Sequence, residues 1–385
     1  MDRTTASVGV HPWGTALGGL LALGVAVGIG RFVYTPILPL MVEALGWTRF
    51  TAGLIASANF AGYLIGALLA AGSLPGSRRL WLVGALLVSA ATTGLMGVTP
   101  SVQTLLGLRF AGGMASAFVL ILISAIVLEA LARVGRPELS SVLFAGVGSG
   151  IAVSATLVSA LRAAGAGWSG LWVASGVVSL AGAIGSVVLL PPEQQREGVG
   201  PKESAGFSSK PAGLLRLLVA YGLFGFGYVI TATFLVAIVR GSPVLRPLEP
   251  GIWLVFGLAA VPSIALWNHI ARPVGIARTY SLACIVEAIG VIVSVAWRSM
   301  FGVFVAAVLV GGTFMGLTSL GLIGGRQLAG GDARRVLALM TSAFGLGQIV
   351  GPSFAGALYD RFGSFAVPSL FAVVALLVAA ALSSR

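Results

Sequence analysis

The sequence has little charge: only 9% of its 385 residues are Asp, Glu, Lys or Arg. A soluble domain carries about 25% charged residues, because its surface faces water. Hydrophobic residues instead make up 57% of this chain, so most of its exterior must face lipid. The composition therefore predicts an integral membrane protein.

Cysteine and histidine are also scarce. The single cysteine, Cys284, excludes an internal disulfide. Together with His11 and His269 it cannot assemble the usual zinc or nucleophile sites, so we expect no metal, no cofactor and no enzyme of these types. The net charge of +12 is spread singly or in pairs between apolar runs, unlike the basic patch with aromatic neighbours of a nucleic-acid-binding surface. We therefore expect no nucleic-acid partner.

Long apolar runs are abundant. A membrane-spanning helix needs about 20 mainly apolar residues, and twelve runs meet this requirement. They cover approximately residues 14–43, 51–72, 80–98, 102–131, 139–162, 168–190, 213–239, 251–271, 277–297, 300–323, 335–358 and 364–383. The 55 glycines suit such helices, since small residues let membrane helices pack closely. We predict an all-α integral membrane fold with twelve spans.

One segment, residues 191–212, lacks membrane character because it is rich in charged residues, Gly, Ser and Pro. Such a composition is typical of a flexible linker. Six predicted spans lie on either side of it, which divides the chain into an amino-terminal half, residues 1–190, and a carboxy-terminal half, residues 213–385. An even number of spans in each half makes the two repeats parallel in the membrane.

The two halves resemble each other at a nearly constant offset. Gly28 in the first span corresponds to Gly225 in the seventh, since 225 minus 28 is 197. Gly112 in the fourth span corresponds to Gly311 in the tenth, an offset of 199. The same order of matches in both halves indicates a duplication.

Lys and Arg are distributed unequally between the two sides of the membrane. With the amino terminus in the cytoplasm, fifteen of the 23 fall on that side and six on the other, and Arg31 and Arg109 lie within spans. Cytoplasmic loops carry the excess of Lys and Arg. We therefore expect a multi-pass protein of a bacterial inner membrane, with both termini and the linker in the cytoplasm.

Two local motifs carry a resemblance to a known family. The fourth span contains an RxxxG motif formed by Leu105, Arg109, Gly113 and Ala117. The loop after the second span keeps Gly72, Leu74, Arg78 and Arg79 of the signature GxLaDrxGr, without its Asp. With these motifs, the twelve spans and the central linker, the chain resembles the major facilitator superfamily of secondary transporters over essentially its whole length.

Two longer strings, from Gly28 to Pro39 and from Thr341 to Pro352, are similar to the YbfB/YjiJ-like branch of that superfamily. The resemblance implies the major facilitator fold, with alternating access and a central cavity lined by the first, fourth, seventh and tenth helices. We expect a monomer in the lipid bilayer, with a small-molecule solute and protons as a candidate coupling ion.

Arg31 is the most informative residue at membrane depth, because a charge there is costly and is a functional hypothesis by default. Gly24, Gly28, Arg31 and Thr35 follow helical spacing on one small, polar stripe of the first span. In the family's architecture Arg31 would lie opposite Tyr228. Either it binds a solute, or it caps backbone carbonyls at the kink that Pro36 produces.

Three further ionisable residues are candidates for coupling. For Arg109 the resemblance implies proton coupling or cavity electrostatics, and the alternative is an arginine bonded to neighbouring helix ends. Glu287 is the only carboxylate near the middle of a span, and either carries protons or is buried and hydrogen-bonded. Glu129 lies one turn from Arg133, so that a gate pair and simple snorkelling remain alternatives.

The remaining candidates are polar or aromatic side chains near the expected cavity, and small residues that shape the helices. The substrate-binding candidates are Arg31, Tyr34, Arg109, Tyr221, Tyr228 and Gln348. The packing or hinge positions are Gly28, Gly30, Pro36, Gly112, Gly113, Gly347, Gly351 and Pro352. Closely spaced glycines with a proline make a flexible, close-packed helix.

Two arginines in the core and no firmly placed cavity carboxylate favour transport of a small organic anion by alternating access. The alternative is proton-coupled efflux of amphipathic compounds, for which Phe224, Tyr228, Phe314 and Met315 would form the lining. A membrane enzyme is disfavoured because no set of nucleophile, base and metal exists. A non-transporting receptor or lipid-binding protein is disfavoured because we expect no output domain.

Overall fold

The structure is a computed structural model that describes residues 11–72, 74–191, 211–329 and 333–384. Within these ranges the chain forms α-helices joined by short turns, and no strand is found there. The helices are α1 (Pro12–Leu23), α2 (Tyr34–Leu45), α3 (Arg49–Ala70), α4 (Arg78–Leu95), α5 (Val102–Arg133), α6 (Ser140–Ala163), α7 (Trp168–Leu189), α8 (Pro211–Arg240), α9 (Glu249–Ala260), α10 (Ser263–Val274), α11 (Ile276–Ala296), α12 (Met300–Gln327), α13 (Ala333–Phe362) and α14 (Ala366–Ser383). The predicted all-helical membrane fold is confirmed.

The helices account for the apolar runs of the sequence. In the described part of the chain, ten helical stretches are long and apolar enough to cross a membrane, with α1 and α2 counted together as Pro12–Leu45. Helices α9 and α10 qualify together as an eleventh stretch, bent by 41°. Helix α4 is 18 residues long and begins with Arg78 and Arg79, which shortens its apolar part. These elements are consistent with the twelve spans predicted.

The bend between α9 and α10 has a local cause. Pro262 has no amide hydrogen and ends the helical ladder. The hydroxyl of Ser263, next in the chain, donates to the carbonyl of Gly312 over 2.8 Å and accepts from the amide of Gly316 over 2.9 Å. Trp267 also donates its indole N–H to Gly312. The bent span is thereby fixed to α12.

Glycines allow the helices to approach at backbone distance. A Cβ on Gly113 of α5 would lie 1.9 Å from the carbonyl oxygen of Asn59 in α3. A Cβ on Gly53 of α3 would lie 2.2 Å from the carbonyl oxygen of Pro352 in α13. Since no side chain fits at such contacts, α3 is packed tightly between α5 and α13.

The connections between helices lie at the two ends of the bundle. We call them the Arg78 end, where α4 begins, and the Arg240 end, where α8 ends. At the Arg240 end, the guanidinium of Arg240 binds Glu43 and, over 2.7 Å, Glu249. Glu249 also accepts from Arg162 over 2.9 Å. This ion-pair cluster joins α2 and α6 to the ends of α8 and α9, which belong to the other half of the sequence.

Asp360 strengthens the same end of the bundle. Its carboxylate, near the end of α13, accepts the backbone N–H groups of Arg49 and Phe50 over 2.9 and 2.8 Å. These amides are at the start of α3, where a helix has unpaired donors and a positive partial charge. The contact fixes α13 to α3.

Two contacts join positions that the predicted duplication would relate. Glu43 pairs with Arg240, and the Thr35 hydroxyl donates to the carbonyl of Ala232 over 2.8 Å. Each pair is 197 residues apart, the offset between Gly28 and Gly225. Contacts between equivalent positions are expected where two related units meet at a two-fold axis. The division into halves stays a prediction.

The topology can be tested with single cysteines in a Cys284→Ala background. Val244, in the turn between α8 and α9, is 61% exposed, and Val134, beyond the end of α5, is 38% exposed. We expect an impermeant thiol reagent to label Val244→Cys in intact cells and Val134→Cys only after permeabilisation, because the excess of Lys and Arg is on the Arg78 side. The reverse pattern would overturn the predicted orientation.

Candidate anion site at the broken first span

The first span is interrupted at the level of Arg31. After α1, residues Gly24–Ile29 form a π-helical turn, in which the amide of Gly30 donates to the carbonyl of Val25 over 2.8 Å. The chain becomes α-helical again only at Tyr34. Such a break frees backbone carbonyls, and buried carbonyls need hydrogen-bond partners.

Arg109 supplies these partners. Its Nη1 donates to the carbonyl of Gly30 over 2.9 Å and its Nη2 to the carbonyl of Arg31 over 3.1 Å. The side chain is 3% exposed, and its guanidinium carbon is 5.0 Å from the centroid of the Tyr34 ring. Asn59 donates to the carbonyl of Arg109 over 2.9 Å, which positions this turn of α5. Arg109 therefore holds the break of the first span.

Arg31 is buried with neutral partners only. It is 6% exposed, its Nη2 is 3.3 Å from the hydroxyl oxygen of Ser116, and the Tyr63 side chain is within hydrogen-bonding reach of its guanidinium. Its Nε has no hydrogen-bond partner, and none of the ion pairs between described residues includes Arg31. Its guanidinium carbon is 4.0 Å from the ring centroid of Tyr63 and 5.4 Å from that of Phe60.

The two arginines, both named as substrate-binding candidates from the sequence, therefore have different environments. From the sequence, the alternative role of Arg31 is to cap backbone carbonyls at a kink. In the structure Arg109 caps the carbonyls of Gly30 and Arg31 instead. A buried cation without an anionic partner is costly in a membrane protein. Nε lacks a hydrogen-bond partner in both arginines. The two terminal nitrogens of Arg109 are bonded to carbonyls, whereas Nη2 of Arg31 meets the neutral hydroxyl of Ser116, so Arg31 has the larger free hydrogen-bonding capacity.

Tyr228 faces this site from α8. Its ring neighbour Phe314 meets Phe32, the residue after Arg31, at a centroid distance of 5.9 Å. The hydroxyl of Tyr228 accepts a hydrogen bond from Nε2 of Gln348. The Tyr228 ring is stacked with those of Phe314 and Phe344, at centroid distances of 5.6 and 5.8 Å. The structure therefore brings three of the substrate-binding candidates, Arg31, Tyr228 and Gln348, into one region.

The other two tyrosines among the candidates have partners in the protein. The hydroxyl of Tyr34 donates to the carbonyl of Ala52 over 2.8 Å, and that of Tyr221 to the carbonyl of Thr318 over 3.1 Å. Both rings are almost completely buried. These hydroxyls hold neighbouring helices together and are not free to bind a solute in this conformation.

The coupling candidates Glu129 and Glu287 lie in different environments. Glu129, 46% exposed, forms ion pairs with Arg133 and, over 3.6 Å, with Arg78, and so joins α4 to α5 at the Arg78 end. Glu287 in α11 is completely buried, and neither carboxylate oxygen has a hydrogen-bond partner. It lies two turns after Tyr280 on α11, and the Tyr280 ring meets that of Phe224 in α8 at a centroid distance of 6.4 Å.

The predicted glycine positions lie at helix contacts. At each of Gly28, Gly30, Gly112, Gly113, Gly347 and Gly351, a Cβ would come within 3.0 Å of an atom of another helix. At Gly347 that atom is the carbonyl oxygen of Gly222, at 2.2 Å. Pro352 is inside α13, and Pro36 is in the first turn of α2, where the ring is tolerated.

Tyr63 is the site residue that sequence analysis missed. It lies four residues after Asn59 in α3, and residues at this spacing share one face of a helix. Asn59 is buried against Arg109 and Tyr63 lies against Arg31. The polar face that Asn59 and Tyr63 form on the second span is therefore the feature of the sequence that could have identified Tyr63.

The described residues form an all-helical bundle of membrane spans with a broken first span, and none of the ion pairs between them includes Arg31 or Arg109. Such a multi-pass bundle is the architecture of many membrane transporters. The sequence model of the family described as "Uncharacterised MFS-type transporter YbfB" matches residues 23–384. The chain belongs to this family of MFS transporters, a multi-pass membrane protein family, as the sequence analysis predicted.

Solved structures show the same fold. A mutant form of the nucleoside transporter NupG superposes with a TM-score of 0.75 at 14% identity, covering 96% of this chain and 98% of that one. A bacterial homologue of the human lysosomal transporter Spinster, in an inward-facing and unoccupied conformation, gives a TM-score of 0.67 at 16% identity. The match covers 98% of this chain and 97% of that one. A search of functionally curated proteins gives no match.

We expect Arg109→Ala to destabilise the protein, because two buried carbonyls lose charge-assisted bonds of about 1.5–3 kcal/mol each. The midpoint of thermal unfolding in detergent should fall by roughly 5 °C or more. Arg298→Ala, at an exposed position, is the matched control and should change it little. If Arg109→Ala protein unfolds at the same midpoint as the wild type, Arg109 does not stabilise the break of the first span as described.

Proposed function

We propose that the protein is a secondary active transporter that moves a small organic anion across the membrane by alternating access. Residues 1–190 and 213–385 act as two six-helix halves that rock about a site near the middle of the membrane. Arg31 is the anion-binding residue, and Arg109 positions it by holding the break of the first span.

The observation that carries this proposal is the uncompensated guanidinium of Arg31. Its Nε has no partner, and its Nη2 meets the neutral hydroxyl of Ser116 at 3.3 Å. A carboxylate can accept two parallel hydrogen bonds from a guanidinium, and such charge-assisted bonds are about twice as strong as neutral ones. An incoming anion therefore supplies the charge that the protein does not provide at Arg31.

The ion-pair cluster at the Arg240 end is the proposed gate on one side of this site. Arg240 is 11% exposed at its side chain and binds Glu43 and Glu249 together. Breaking both pairs would let α2 separate from α8. With the predicted orientation this gate faces outwards.

Protons are the coupling ion that we propose, with Glu287 as the carrier. Among the described residues, Glu287 is the only almost completely buried carboxylate, and neither of its oxygens has a hydrogen-bond partner. A change of charge at Glu287 would alter the electrostatic potential inside the bundle, including that at Arg31. Glu129 is assigned to the Arg78 end, where it links α4 and α5.

Efflux of amphipathic compounds is the second candidate function, and the aromatic rings near the site favour it. An apolar solute could pack against the rings of Tyr228, Phe314 and Phe344. A cationic drug, however, would be repelled by the uncompensated charge of Arg31. The anion proposal is therefore preferred.

The anion proposal is tested by binding of lactate, succinate and benzoate to the purified protein, followed as an increase in the unfolding midpoint. We expect at least one of these anions to stabilise the wild type. Arg31→Gln should weaken that binding about 10-fold or more, since it removes a charge-assisted contact. Arg31→Lys should give an intermediate affinity, because it keeps the charge and loses the planar fork.

Arg298→Gln, which removes an exposed arginine, is the control and should leave the affinity unchanged. Unaltered anion affinity in folded Arg31→Gln protein would refute the role of Arg31. Stabilisation of the wild type by cations alone would refute the anion proposal itself.

A further inference from the structure

The carboxy-terminal half contributes a continuous stack of rings next to the anion site. Tyr221 and Phe344 have ring centroids 4.9 Å apart, Phe344 and Tyr228 are inclined by 2°, and Tyr228 and Phe314 by 11°. Offset, nearly parallel rings at such distances attract each other beyond simple apolar contact. We refer to Tyr221, Phe344, Tyr228 and Phe314 as the aromatic stack.

The stack reaches the amino-terminal half at Phe32, the residue that follows Arg31. The rings of Phe314 and Phe32 meet edge to face with centroids 5.9 Å apart. The Tyr63 ring lies 4.0 Å from the guanidinium carbon of Arg31. Arg31 is therefore bordered by rings of the amino-terminal half, and Phe32 connects it to the aromatic stack of the other half.

Charge and hydrogen-bond capacity limit the solute that this environment can bind. Arg31 offers one guanidinium, and both terminal nitrogens of Arg109 are bonded to carbonyls, so the site matches one carboxylate better than two. The hydroxyl of Tyr228 is already bonded to Gln348. A sugar acid with many hydroxyls would leave its own polar groups unpaired against these rings, which is costly.

We propose that the transported anion is an aromatic monocarboxylate, whose carboxylate binds Arg31 and whose ring extends the aromatic stack at Tyr228 and Phe314. This inference rests on the proposed function, because it requires an anion at Arg31. It adds the chemical class of the solute, a planar ring that bears a single negative charge.

Benzoate and cyclohexanecarboxylate form a matched pair of probes. They have the same charge and nearly the same size, and only benzoate has a planar aromatic ring. Ring stacking contributes about 0.5–1.5 kcal/mol beyond apolar contact, so benzoate should bind the wild type roughly 2- to 10-fold more tightly. Affinities are measured by calorimetry on the purified full-length protein, with succinate and benzylammonium as further probes.

Variants of Tyr228 separate the ring from the hydroxyl. Tyr228→Phe keeps the ring, and should keep the preference for benzoate over cyclohexanecarboxylate. Tyr228→Leu should reduce that preference to about one, and Phe314→Leu provides the same comparison if Tyr228→Leu does not fold. Phe304→Leu, a change at a 45% exposed position, should leave the preference as in the wild type.

The outcomes distinguish this inference from the proposal on which it rests. Equal or tighter binding of cyclohexanecarboxylate, or binding of succinate alone, would overturn the aromatic class and leave anion transport standing. An undiminished preference in folded Tyr228→Leu or Phe314→Leu protein would overturn the stacking at these rings. Binding of benzylammonium without either acid, or of none of the probes, would overturn both proposals.

Discussion

Two guanidinium groups are buried beside a break in the first membrane span, and the organisation of the site depends on how their charge and hydrogen bonds are satisfied. Arg109 gives both terminal nitrogens to the carbonyls of Gly30 and Arg31. Those buried carbonyls would otherwise lack hydrogen-bond partners within the protein. The same two bonds fix the backbone of Arg31, so that its side chain is held in place while its charge remains uncompensated.

The surrounding helices keep this arrangement compact. Backbone contacts through Gly113 and Gly53 place α3 between α5 and α13, and α3 carries Asn59 and Tyr63 to the two arginines. The ion pairs of Arg240 and the bonds of Asp360 join the two halves of the sequence at one end. These polar contacts therefore hold α2, α3, α8, α9 and α13 together at the Arg240 end.

The membrane class, the helices and the buried position of Arg31 and Arg109 followed from the sequence, because apolar runs and isolated charges are visible in composition and spacing. The partners of the side chains did not follow. Helical spacing places Arg109 on a packed face, but only the three-dimensional structure shows that this face meets the carbonyls of the first span. The assignment of the two arginines to different roles therefore required the structure.

Two other features were not predictable for related reasons. The π-helical turn at Gly24–Ile29 has no proline within it, and apolar periodicity does not distinguish it from a continuous helix. The hydroxyls of Tyr34 and Tyr221 were equally good candidates for binding a solute, since the sequence does not reveal that Ala52 and Thr318 accept their hydrogen bonds. Local sequence specifies which groups are polar, and the packing of distant helices decides which of them are already satisfied.

The most direct test of the account is an experimental structure of the wild-type protein with 4-iodobenzoate, in which anomalous scattering locates the iodine. The account predicts carboxylate oxygens at about 2.7–3.0 Å from the guanidinium of Arg31, while Arg109 keeps its bonds to Gly30 and Arg31. A protein carboxylate paired with Arg31, or the acid bound away from Arg31, would contradict the claim that this residue is the anion site.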